Sequence, residues 1–123
     1  MSYAPKNFTA SATLNLSDAE TILTVSAAAG LTLTLPASSG SGVTYKIYIQ
    51  TTVTSNNVII QVANATDVMA GILISGQDAG DTVVGFATAN TGTPSTETDT
   101  VDLFDAANVT GGIKGAVVEL IDI

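Results

Sequence analysis

Between Leu31 and Ala63 the chain reads LTLTLPASSGSGVTYKIYIQTTVTSNNVIIQVA, and apolar side chains return at every second position in three runs. They fall at Leu31, Leu33 and Leu35, then at Val43, Tyr45, Ile47 and Ile49, then at Val58, Ile60 and Val62. Successive side chains of a strand point to opposite faces, so a period of two predicts half-buried strands and excludes a helix here. Pro36 ends the first strand by removing a backbone donor, and Ser38 to Gly42 supplies a glycine-bearing turn. Thr51 to Asn57 is a polar connection in which Asn56-Asn57 tolerates the left-handed backbone of a tight turn. Thr44, Lys46, Tyr48 and Gln50 point away from the Tyr45 face, which makes Tyr48 a candidate for an exposed or interface position.

The flanking segments follow the same grammar. Met1 to Phe8 holds Pro5, a lysine and two aromatics and reads as an extended arm, with Tyr3, Lys6 and Phe8 as candidate anchors on a neighbouring subunit. Ser11 to Leu16 is a short strand. Ser17-Asp18-Ala19-Glu20 has the form of a helix-capping box, and Gly30 stands where a helix would stop. The β-branched Thr21, Ile22, Thr24 and Val25 oppose that helix, so Thr21 to Ser26 is read as a strand. Ala70 to Ser75, Thr82 to Thr88 and Val101 to Phe104 add further strands, and ANTGTPSTETDT, residues 89–100, is a polar surface loop. The closing GAVVELID carries apolar residues on both faces, which predicts a strand placed centrally or at a subunit interface.

Eight or nine short strands with no helix predict an all-β chain: a two-sheet β-sandwich, jelly-roll-like, spanning residues 11–123 as one domain behind an arm at 1–10. No internal repeat stands out strongly enough to predict a solenoid.

Composition narrows the function classes. Charged residues make up 11% of the 123, against about a quarter in ordinary domains, and 46% are hydrophobic. The surface is therefore built from Thr, Ser, Asn and Gly, and shedding its water costs less than shedding that of a Lys/Glu-rich one. This favours packing into an oligomer or a larger assembly. Eleven carboxylates against three lysines leave a net charge of -8, which argues against nucleic acid and anionic membranes as partners. No basic segment followed by an apolar core marks a secretory signal, and no run is long enough to cross a bilayer. The sequons beginning at Asn7, Asn15, Asn64 and Asn108 are then read as frequent Asn and Thr.

Chemistry has few candidates. Without His or Cys there is no histidine base, no zinc set and no Ser-His or Cys-His nucleophile. Lys6, Lys46 and Lys114 stand in no S-x-x-K pattern. The acids Asp78, Asp81, Asp99, Asp102 and Asp105 are hard oxygen ligands of the kind calcium takes, but their spacing matches no EF-hand, and solvated loop charges are the expected role. SSGSG could cradle an anion yet lacks the lysine and helix of a phosphate loop, and is read as a turn. The chain is expected to be no enzyme and to carry no cofactor or metal.

The run LTLTLPASSGSGVTYKIYI, followed by NVIIQV and DVMAGILI, resembles small virion proteins of tailed bacteriophages of the capsid decoration, or cement, type. The resemblance covers Leu31 to Ile74. It implies an all-β structural subunit, commonly a homotrimer, made in the host cytoplasm and mounted on the capsid exterior. There it would bind the major capsid protein and clamp the coat lattice against internal pressure. The chain lacks the helical element that some lambda-like decoration proteins carry. The alternative is a receptor- or glycan-binding module of a tail fibre or cell surface, for which Tyr48, Phe86 and Phe104 are the available aromatics; Phe86 and Phe104 are expected instead in the core.

Overall fold

The computed structural model describes residues 4–77, 82–87, 99–103 and 112–123. The described residues are all-β, with ten strands in chain order: β1 Lys6–Phe8, β2 Ala12–Thr13, β3 Ile22–Val25, β4 Leu31–Thr34, β5 Thr44–Ile49, β6 Val58–Gln61, β7 Ile72–Gln77, β8 Thr82–Ala87, β9 Thr100–Leu103 and β10 Val117–Ile121. The predicted alternation is realised in the central stretch. β4 buries Leu31 and Leu33, β5 buries Tyr45, Ile47 and Ile49, and β6 buries Val58 and Ile60.

Two four-stranded sheets share these strands, in the orders β1-β3-β5-β10 and β2-β4-β6-β9, while β7 and β8 form a separate antiparallel hairpin. The chain alternates between the two large sheets, so β1, β3 and β5 lie parallel in one and β2, β4 and β6 lie parallel in the other. This is a coil of three turns, each contributing one strand to each sheet. β9 and β10 then close the two sheets antiparallel to β6 and β5. A jelly roll is wired antiparallel throughout, so the observed pairing departs from the jelly-roll expectation while keeping the two-sheet arrangement. The repeat escapes detection in the sequence because the turns differ in length, so equivalent residues recur at unequal spacing.

Register explains why the coil holds. Phe8, Val25 and Ile49 are aligned across the first sheet, as are Leu23, Ile47 and Val118. Ala12, Leu33, Ile60 and Val101 align across the second, next to Leu31, Val58 and Leu103. The buried members of these rows join Leu14, Val53 and Met69 in a single hydrophobic cluster between the sheets. Each fully buried aliphatic side chain contributes about 1.5–3 kcal/mol relative to exposure. Polar rows run beside the apolar ones: Thr24 Oγ1 donates to Asn7 Oδ1 at 2.9 Å, and Gln61 Nε2 donates to Thr34 Oγ1 at 3.1 Å.

Three expectations are revised. The segment read as an extended arm is, from Lys6 to Phe8, a strand paired with β3, and Phe8 is buried. The capping signal lies two residues earlier than Ser17: Asp18 Oδ2 accepts the Asn15 N–H at 3.0 Å and Asn15 Oδ1 accepts the Ser17 N–H at 3.0 Å. It closes one 3₁₀ turn, Leu16–Asp18, and the β-branched residues that follow take the strand they favour. Lastly, of the two placements expected for β10, central or at a subunit interface, the central one does not hold: among the described residues β10 is an edge strand, with Val118 buried and Val117 and Ile121 exposed. Among the described residues no helix is long and apolar enough to cross a membrane.

Candidate interaction surface

The outward face of the first sheet is set by the same alternation that builds the core. In β3, β5 and β10 the residues that alternate with the core-facing ones form three rows: Ile22, Lys46 and Glu119; Thr24, itself buried, with Tyr48 and Val117; and Thr44 with Ile121. Lys46 Nζ lies 3.1 Å from Glu119 Oε2. That hydrogen bond first, then the charges of Glu119 and Glu20, raises the lysine above its ordinary pKa. Because both groups are about half exposed, the pair orders the surface more than it stabilises the fold.

Glu20 enters this face from the turn before β3. Its φ of 58° lies in the left-handed region, a conformation that costs a non-glycine residue about 1–2 kcal/mol. Two hydrogen bonds hold it there: Glu20 N donates to Thr44 O at 2.9 Å, and Glu20 Oε1 accepts the Thr44 N–H at 2.8 Å. Glu20, Thr21, Ile22, Thr44, Lys46 and Glu119 line an open groove of about 350 Å³. Its walls offer two carboxylates, a lysine, two threonine hydroxyls and the apolar Ile22 to a neighbour.

Beyond the groove lies the outer edge of β10. Ile49 N donates to Ala116 O and Asp122 N donates to Val43 O, which fixes the even-numbered residues as those bonded to β5. Val117, Glu119 and Ile121 therefore aim their N–H and C=O groups away from the sheet. Val117 is 47% exposed and Ile121 57%. Natural edge strands usually carry blocking charges or short lengths; this one shows two β-branched apolar residues with one carboxylate between them.

A second polar cluster has a structural occupant. The SSGS turn does cradle an anion, and the anion is Asp122 of the same chain. Its carboxylate accepts N–H groups of Ser39, Gly40 and Ser41 and hydroxyls of Ser38, Ser39 and Ser41, with Ser41 Oγ at 2.6 Å. The Ser41 hydroxyl and amide first, then the Ser39 amide, hold Asp122 far below the usual carboxylate range.

The sequence-derived contact residues do not converge. Lys6 Nζ sits 2.5 Å from Asp18 Oδ1 and 5.2 Å from the centre of the Phe8 ring. Asp18 is almost fully buried. Its burial opposes ionisation, but the Lys6 hydrogen bond and the Asn15 N–H outweigh it and lower its pKa. Phe8 lies on the inward side of the sheet and Tyr48, half-buried, on the outward side; Tyr3 is outside the described residues. Of the acids weighed for calcium, Asp102 accepts Asn57 Nδ2 at 2.7 Å and Asp99 accepts Thr100 Oγ1 at 2.9 Å. Asp78, Asp81 and Asp105 lie outside the described residues, as does Phe104; Phe86 belongs to β8. Among the described residues no three acidic side chains gather as a metal site would require. Ile22, Glu119, Val117 and Ile121 were not singled out as contacts, although the two-faced apolar pattern of VVELI pointed to the last two. Comparison with protein-family models, with curated proteins and with solved structures finds no match for this chain.

Proposed function

We propose that this chain is a structural subunit that adheres to a larger protein assembly, and that the assembly is the exterior of a tailed-phage head. In this reading it is a decoration protein that binds the major capsid protein, commonly as a trimer, and has no catalytic role. The observation that carries the reading is the open β10 edge, where Val117 and Ile121 stand exposed on a sheet whose other face is firmly packed. Many weak contacts repeated by symmetry make an effective clamp, and they require a rigid subunit more than a deep pocket. The low-charge, threonine-rich surface and the resemblance over Leu31 to Ile74 support the same role.

Cryo-imaging of the parent particle tests it. The expected result is density for this subunit at regular positions on the outside of the head. Its absence from the head, or its presence only at the tail tip, overturns the proposal. Saturable binding on a glycan array would replace it with a receptor-binding role.

A further inference from the structure

We propose that the β10 edge accepts, by strand addition, an extended segment of a partner protein carrying a lysine or arginine between two apolar residues at alternate positions. This rests on the reading of the chain as an adhesive subunit and names the chemistry of its partner. Strand addition draws affinity from main-chain hydrogen bonds and specificity from alternate side chains. Both are laid out here: the N–H and C=O groups of Val117, Glu119 and Ile121 face outward, and among the described residues no strand pairs with them.

The rows of the outward face specify the incoming residues. Along Ile22, Lys46 and Glu119 the charges run cation then anion, so the next position, beside Glu119, favours a cation. Along Thr24, Tyr48 and Val117, and along Thr44 and Ile121, the next position lies against an exposed aliphatic group and favours an apolar residue. The resulting pattern of apolar, basic, apolar reads the same in either strand direction. A second copy of β10 fits less well, because the antiparallel register that pairs Val117 with Ile121 sets Glu119 against Glu119, and like charges directly opposite are destabilising.

The test is an NMR titration of the full chain with two seven-residue peptides, each alternating threonine with a central triplet. One triplet is valine, lysine, valine and the other valine, glutamate, valine. The expected result is saturable shifts at the amides of Val117, Glu119 and Ile121, with the lysine peptide binding about 3- to 10-fold more tightly. Glu119→Lys should reverse that order. Glu119→Pro, which removes an outward N–H while sparing the bonds to β5, should abolish binding by both. Should the proline variant not fold, the charge reversal alone decides. Equal affinities, shifts confined to other elements, or no response at millimolar peptide overturn the proposal. So do concentration-dependent shifts at β10 without peptide, which would assign the edge to a second copy. A particle lacking this subunit on its head would refute the decoration reading without touching this result, and the converse also holds.

Discussion

Ser41 Oγ donates a hydrogen bond to Asp122 Oδ2 at 2.6 Å, tying the turn between β4 and β5 to the end of β10. The Ser41 N–H reaches the same oxygen at 3.0 Å, so one residue binds the carboxylate through both its backbone and its side chain.

Acid sensitivity follows from that pair. Asp122 is held far below its unfolded value of about 3.9, so its contribution to stability is complete above that value and is lost as pH falls toward the folded one. Asp122→Asn should leave stability near neutrality only modestly lowered and flatten its decline below about pH 4. Chemical denaturation at a series of acid pH values measures the slope. Amide exchange at Ser39, Gly40 and Ser41 should accelerate in the variant.

Lys6 and Asp18 form the counterpart at the start of the coil. Lys6→Met leaves the buried Asp18 carboxylate without its cation and should cost about 1–3 kcal/mol in urea unfolding at pH 7. With burial no longer outweighed, the Asp18 pKa should rise above its unfolded value, so protonation relieves the penalty and the stability gap between variant and parent should narrow as pH falls below about 4.

Gly30 closes the turn before β4 at φ 80°, and a Cβ there would come within 2.9 Å of Asn57 N and closer still to its carbonyl oxygen. Gly30→Ala should therefore cost about 2–4 kcal/mol, combining left-handed strain with a backbone clash. Gly115, at φ 97° with open space around it, provides the comparison. Gly115→Ala should cost only the strain, about 1–2 kcal/mol. Thermal or urea denaturation of the two variants separates the contributions.

Tyr45 is 4% exposed, and its hydroxyl has no hydrogen-bond partner among the described residues. Burial first, then the charges of Asp122 and Asp18, raises its pKa. Tyr45→Phe removes an unsatisfied polar group without changing the packing of the ring. Stability should stay level or rise by about 1 kcal/mol; a clear loss in urea titration would indicate a bound partner for the hydroxyl.

Alternation in Leu31 to Val62, read from the sequence alone, determined where the three central strands lie and which of their residues turn inward. It could do so because the side-chain period of a strand is a local property. Asn56 was legible for a similar reason: its φ of 52° is one that asparagine tolerates in a turn. The choice of neighbours belonged to the tertiary structure. An alternating strand states which face is apolar but not which strand pairs with it, so the parallel coil and the edge position of β10 emerged only when the rows Phe8–Val25–Ile49 and Leu33–Ile60 came into register. The anion in the SSGS turn was equally hidden, since Asp122 lies 83 residues from Ser39 and reaches it only once β10 has paired with β5. Local pattern sets a strand and its faces; burial shared between distant strands sets its partners.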